Sequence, residues 1–190
     1  MKKSFVILLS VLSILFLGDS SVKTPGTMAD GGGDVAFSTP ANGGAEDGIF
    51  TSATINSATA ILFGTNCNFS IPTDDTIDSI RVGFKYKYVT VAMQQILVWI
   101  KSTGGDGSAL GWDLPTTTNT WYRQTHTNAT WNIVGGMIPS VINSPNFGVG
   151  IYFAGYDEDA TISVDATEIT VYYHAAAGPG MQRRIIGEPN

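Results

Sequence analysis

The sequence predicts an all-β protein, a two-sheet antiparallel β-sandwich or jelly roll with a flexible N-terminal arm and C-terminal tail. Two observations come from side-chain periodicity. Ile80, Val82, Phe84, Tyr86 and Tyr88 occupy alternate positions with Arg81, Gly83, Lys85 and Lys87 between them, so one face is buried and the other wet. Phe147, Val149, Ile151 and Phe153 repeat the same two-residue period, which a helix would scatter around its circumference. The third observation is composition. The 190 residues are rich in Gly, Thr, Ser, Ala, Val and Ile and offer about eight short β-prone runs separated by turn signals. Neither a β-α-β alternation nor a fixed internal repeat is present, which removes parallel α/β folds, solenoids and propellers.

Taken in order, the chain opens with Lys2 and Lys3 before an unbroken apolar run, Phe5 to Leu17, followed by Gly18, Asp19, Ser20 and Ser21. The run is short for a bilayer span and has the layout of a secretory signal, so residues 1–20 are expected to be cut and the mature protein exported. Uncut, this segment would be the only contact with a membrane. Residues 21–46 are Gly-rich and poor in apolar side chains, and read as an extended arm. The sandwich is expected over 47–174, beginning with β-prone runs Ile49 to Ile55 and Ser57 to Phe63 and a turn at Gly64 to Asn66. Phe69-Ser70-Ile71-Pro72 ends in a proline that cannot donate to a ladder.

After the strand that carries Ile80 to Tyr88, the run Gln95 to Lys101 is apolar on both faces, which suits a strand covered on both sides. Thr103 to Ser108 is a Gly-rich loop, Thr116 to Thr120 a hairpin tip, and Met137 to Ile142 a short helical turn. Phe147 to Phe153 and a strand starting at Thr161 read as a hairpin across the acidic loop Ala154 to Asp159. The apolar parity of that last strand changes, from Ile162, Val164 and Ala166 to Ile169, Val171 and Tyr173, so one extra residue is expected near Ala166 to Glu168 as a β-bulge. Asp165 reads as a hydrogen-bond acceptor at the resulting bend. Residues 175–190 form a flexible tail whose apolar and basic piece, Met181, Arg183, Arg184, Ile185 and Ile186, is a candidate for docking on a neighbouring subunit.

The chemistry expected of an enzyme is missing. His126 and His174 are the only histidines and neither has an acid or nucleophile beside it in sequence. Ser in G-x-S-x-G, a P-loop lysine and Cys/His zinc spacing are all absent. A hydrolase would need a carboxylate pair such as Asp106 with Asp157 brought together in a cleft. The net charge is −6 with no basic cluster, which excludes nucleic acid as the main partner. The single Cys67 forms no intrachain disulfide and reads as a small buried hydrophobe. No cofactor is expected; the run Asp157, Glu158 and Asp159 offers hard oxygen ligands to calcium, although such runs are ordinarily solvated. Trp112, Trp121, Tyr122 and Trp131 are either an exposed platform for a sugar or a protein, or core packing.

The succession Asp47 to Ala53, Phe69 to Pro72 with Thr76 to Val82, Pro145 to Val149, and Val164 to Ala166 with Ile169 to Tyr173 resembles a β-sandwich domain of tailed-phage particle proteins, with similar domains in secreted or surface proteins of bacteria. That resemblance implies a non-enzymatic structural, fibre, decoration or attachment module on a virion or cell exterior, forming homo-oligomers or binding a neighbouring structural protein. The export signal favours the cell-surface version. The alternative is a secreted carbohydrate-binding module that takes a surface glycan on its loop aromatics.

Overall fold

A computed structural model describes residues 18–89, 93–112, 119–155 and 160–176. They form two facing antiparallel sheets, as the alternating patterns require. In the first sheet the long strand β11 (Ala160–His174) is central. One of its edges is shared end to end by β1 (Asp19–Lys23) and β3 (Thr51–Ile55), and the other pairs with β5 (Thr76–Val89), which β9 (Thr120–His126) follows. The second sheet runs β2 (Thr27–Gly33), β4 (Thr59–Thr65), β10 (Gly148–Gly155) and β6 (Met93–Ser102). The short strands β7 (Gly105–Asp106) and β8 (Leu110–Trp112) divide the far edge of β6. A 3-10 helix (Pro40–Gly44) packs on β2, β3 and β11, and two single-turn helices, α1 (Asn128–Trp131) and α2 (Pro139–Ile142), lie between β9 and β10.

The core is made by the alternate residues that the sequence pattern marks. Ile80, Val82, Phe84 and Tyr86 from β5 face Ile96, Val98 and Ile100 from β6 and Val149, Ile151 and Phe153 from β10, all buried. Phe153 meets Phe37 and Phe84 edge-on, with ring centroids 5.8 and 6.2 Å away. Cys67 is buried, and desolvation pushes its thiol up to about 12, consistent with an inert hydrophobic role.

Three expectations are corrected. Strands β10 and β11 do not form a hairpin: β10 pairs with β4 and β6, and β11 with β1, β3 and β5. Both carry an apolar face directed inward, so they stack across the core instead of pairing edge to edge. Residues 21–46 are not an arm. Asp19 to Lys23 pairs with Ile169 to Tyr173, β2 pairs with β4, and Phe37 is buried, so backbone hydrogen bonds rather than side-chain burial order most of this Gly-rich stretch. With these edge strands and the two short ones, the described residues hold eleven strands in place of about eight. The bulge is present one position earlier than expected: the register of β11 on β5 shifts between Val164 and Ala166, leaving Asp165 as the extra residue. The segment 1–17, the acidic run Asp157, Glu158 and Asp159, and the tail residues Met181, Arg183, Arg184, Ile185 and Ile186 lie outside the described residues.

Asp165 has no exposed surface, and its carboxylate has two partners from elsewhere in the chain. Gly48 donates its backbone N–H to Oδ1 at 2.9 Å, and Lys85 Nζ stands 3.3 Å from Oδ2. Lys85 also donates to Glu46 Oε1 at 2.7 Å, and Trp121 Nε1 donates to Glu46 Oε2 at 3.2 Å. The clasp joins the loop before β3 to the outer side of β5, β9 and β11. The hydrogen bonds from Lys85 and Trp121 hold the Glu46 carboxyl below its ordinary value, and Glu46, then Asp165, hold the Lys85 ammonium above its own.

Two outcomes are expected. Phe153→Ala should cost about 3–5 kcal/mol in denaturant unfolding, because the ring leaves a cavity between sheets that cannot collapse. The stabilisation by Glu46 is full above the ordinary glutamate value and is lost as pH falls through its lowered one. That by Lys85 is full below the ordinary lysine value and is lost as pH rises through its raised one. The melting-temperature difference between the parent and Glu46→Gln should therefore be level near neutral pH and shrink on the acid side; a difference that grows in acid contradicts the clasp.

Candidate functional site

The two outward faces of the sandwich are chemically opposite. On the first sheet the outward residues are charged and satisfy one another. Glu168 of β11 accepts from Arg123 of β9 and Arg81 of β5, and Arg81 also donates to Thr170 Oγ1 at 3.0 Å. The Arg123–Glu168 pair closes over Gly83, where any Cβ would stand 2.9 Å from Arg123 Cγ and 3.0 Å from Glu168 Cγ. Lys85 is held by Glu46 and Asp165. Arg81, Arg123 and Lys85 on this face are thus held in ion pairs, and the Lys87 ammonium lies over the Phe50 ring, 3.7 Å from its centroid.

The outward face of the second sheet is apolar. Because Leu62, Ile96, Val98, Ile100, Val149, Ile151 and Phe153 point inward, their neighbours Ile61, Phe63, Leu97, Trp99 and Tyr152 point out, and all five are half-buried. Their strand registers set them in two rows. Phe63, Gly150 and Trp99 form one, and Ile61, Tyr152 and Leu97 the next. Gly150 is the key to the first row: a Cβ there would lie 2.3 Å from Trp99 Cε2 and 2.4 Å from Cζ2, so the indole occupies the space that a side chain would fill. Trp99 Nε1 is buried with no hydrogen-bond partner, so packing alone holds the ring over the strand. Phe63 meets the indole edge-on at 6.1 Å and 85°.

Beside this platform the segment that joins β7 to β8 runs along the far edge of β6. Between them is an open cleft of about 310 Å³ lined by Leu97, Trp99, Asp106, Gly107, Ala109 and Tyr152. The polar rim on this side is an ion pair, Lys101 Nζ to Asp106 Oδ1 at 3.2 Å. The lysine ammonium also lies 3.9 Å above the centroid of the Phe63 ring. Apolar rings at the centre with polar groups at the edge are the arrangement of a small-ligand surface. Among the described residues no group of three or more His, Cys, Asp or Glu side chains is placed to hold a metal ion.

The aromatic residues singled out in the sequence are elsewhere and do not form one platform. Trp112 is buried and stacked on Phe84 at 5.3 Å and 18°, bridging the sheets. Tyr122 tilts against Trp112 from the inner side of β9. Trp131 is fully buried and donates Nε1 to Ile80 O at 3.0 Å. A ring buried in the core offers no face to a ligand. Trp121 is half-buried on the opposite sheet, under the Arg123 guanidinium at 4.2 Å and tied to Glu46. His174 meets Asp78 through Nδ1 at 2.9 Å, a pair that sequence separation concealed. Asp106 is at the cleft, whereas Asp157 is outside the described residues.

Trp99 and Tyr152 are the residues that sequence reasoning missed. The signal was present: Gln95 to Lys101 is apolar on both faces, but only one face is covered by the core. Likewise Gly148, Gly150 and Tyr152 interleave the inward side chains of β10, and the glycine at 150 leaves its face clear for the Trp99 ring from the next strand.

Neither protein-family models nor the sequences of curated proteins match the chain. Solved structures similar to it include the enzymatically active domain of tailspike protein 4 of bacteriophage CBA120, at 12% identity over 75% of this chain with a TM-score of 0.41. An exo-β-agarase is similar at 12% identity over 77% of this chain, TM-score 0.44. This chain spans 19% of the tailspike chain and 23% of the agarase chain. The N-terminal cellulose-binding domain of Cellulomonas fimi β-1,4-glucanase C is similar at 12% identity over 75% of this chain and 86% of its own, TM-score 0.39.

Proposed function

We propose that this chain is a non-catalytic saccharide-binding module that works outside the cell and takes its ligand on the outward face of the second sheet. The observation that carries the reading is the Trp99 indole laid over Gly150 beside a cleft with Tyr152 and Asp106. A pyranose has an apolar C–H face and a hydroxyl-bearing rim. The negative face of an aromatic ring accepts the first, and carboxylate or phenol groups at the edge bind the second. Trp99 and Tyr152 sit on neighbouring strands at diagonal positions, about 7–8 Å apart at the backbone, so they offer separate contacts to one extended ligand.

The opposite face supports this choice by contrast, since Arg81, Arg123 and Lys85 there are already paired with Glu168, Asp165 and Glu46. Residues 21–46, expected as an extended arm, carry strands of both sheets and are not free to tie neighbouring copies together. Export by the N-terminal segment remains part of the proposal.

The test is affinity electrophoresis of the full chain through gels containing polysaccharides, with circular dichroism as the check on folding. The parent should be retarded, and Trp99→Ala should weaken binding by at least about tenfold while retaining the β spectrum. Gly150→Val should do the same by displacing the indole, at an overpacking cost of about 1–3 kcal/mol. A folded parent that no polysaccharide retards, or a Trp99→Ala variant that binds like the parent, overturns the reading. If the parent instead forms an oligomer that Trp99→Ala dissociates, this face is an assembly surface.

A further inference from the structure

We infer that Asp106 makes the cleft selective for uncharged saccharides, by cancelling the Lys101 cation beside the platform and by repelling carboxylate and sulfate groups. The inference rests on the saccharide-binding reading above and deepens it.

The argument is one of charge placement. Asp106 is the single charged residue among the described residues that line the cleft. Lys101, its register partner on β6, is the cation nearest in sequence and in the sheet, and both features of its surroundings restrain it. Its Nζ is 3.2 Å from Asp106 Oδ1 and 3.9 Å from the Phe63 centroid. The ammonium therefore has an anion on one side and a ring face on another. Recognition of a uronate or a sulfate ester requires an uncommitted cation, and arginine in a fork geometry serves best. Arg81 and Arg123 are on the opposite face of the sandwich, both engaged by Glu168.

Asp106 is about half exposed, at 49% of its side chain, so its carboxylate also reaches ligand hydroxyls as an acceptor. An anionic sugar would bring a second negative charge next to it at the edge of an apolar surface, where screening is weaker than in bulk water. The net charge of −6 adds a repulsive long-range field against polyanions. A neutral polymer meets none of these penalties.

The experiment compares neutral probes, hydroxyethylcellulose and galactomannan, with anionic ones, polygalacturonate and dextran sulfate. It uses the parent, Asp106→Asn, and Asp106→Asn combined with Lys101→Met. Asparagine keeps the side-chain shape and exposed position, so the fold is retained. The parent should bind at least one neutral polymer, with affinity constant within about twofold as salt is raised tenfold. It should leave both polyanions unbound. Asp106→Asn should gain at least about tenfold in affinity for a polyanion, in a salt-sensitive way, and the double variant should lose that gain. A parent that binds the polyanions as well as the neutral polymers, or an Asp106→Asn variant with the parent's preference, overturns the selectivity and leaves saccharide binding in place. A parent that binds none of the four probes overturns saccharide binding itself.

Discussion

A carboxylate with no exposed surface has to find its partners inside the protein, and the one at Asp165 organises much of the first sheet. As the extra residue in β11 it reverses the strand's parity, so that Ile162 and Val164 on one side and Ile169 and Val171 on the other all point into the core. Without the insertion, one half of the strand would present its apolar residues to solvent. The Gly48 amide donates to one carboxylate oxygen and the Lys85 ammonium pairs with the other by charge, and through Lys85 the loop residue Glu46 and the edge-strand ring of Trp121 join the same cluster. Strand bend, loop position and edge packing thus depend on one buried acid.

The two outward faces of the sandwich differ in what closes over a missing side chain. Each has a glycine on a strand with neighbours on both sides, and in each the missing side chain lets others close over the backbone. Over Gly83 the occupants are a guanidinium and a carboxylate that complete each other's hydrogen bonding. Over Gly150 the occupant is an indole, which has a large apolar surface and remains half-buried beside the cleft. Partly exposed apolar rings grouped on one sheet face are an unusual surface for a protein that only needs to be soluble.

Much of this was legible from periodicity, because a period of two assigns a residue to a face with no further information. The faces of β5 and β10, and the existence of a bulge in β11, followed directly. What periodicity does not contain is which strand lies alongside. Phe147 to Phe153 and Ile162 to Val171 have the pattern of a hairpin, and the same pattern serves equally when two strands stack across a core. Composition misled in residues 21–46, since edge strands are held by backbone hydrogen bonds, to which glycine contributes as well as any residue. The tryptophans between 112 and 131 were conspicuous by their clustering, but Trp112 and Trp131 complete the core. Trp99, set among Ile, Leu and Val, resembled core and is the one on the open face.

The position of β11 has a consequence for biogenesis. Among the described residues it is the last strand and the only one to which β1, β3 and β5 all pair, so these partners are synthesised before the template that joins them. Asp19 waits for Tyr173. Contacts that distant in sequence make the nucleus slow to close, and no amino-terminal fragment can complete the first sheet beforehand. A polypeptide of this topology closes its first sheet only once β11 has joined the strands that came before it.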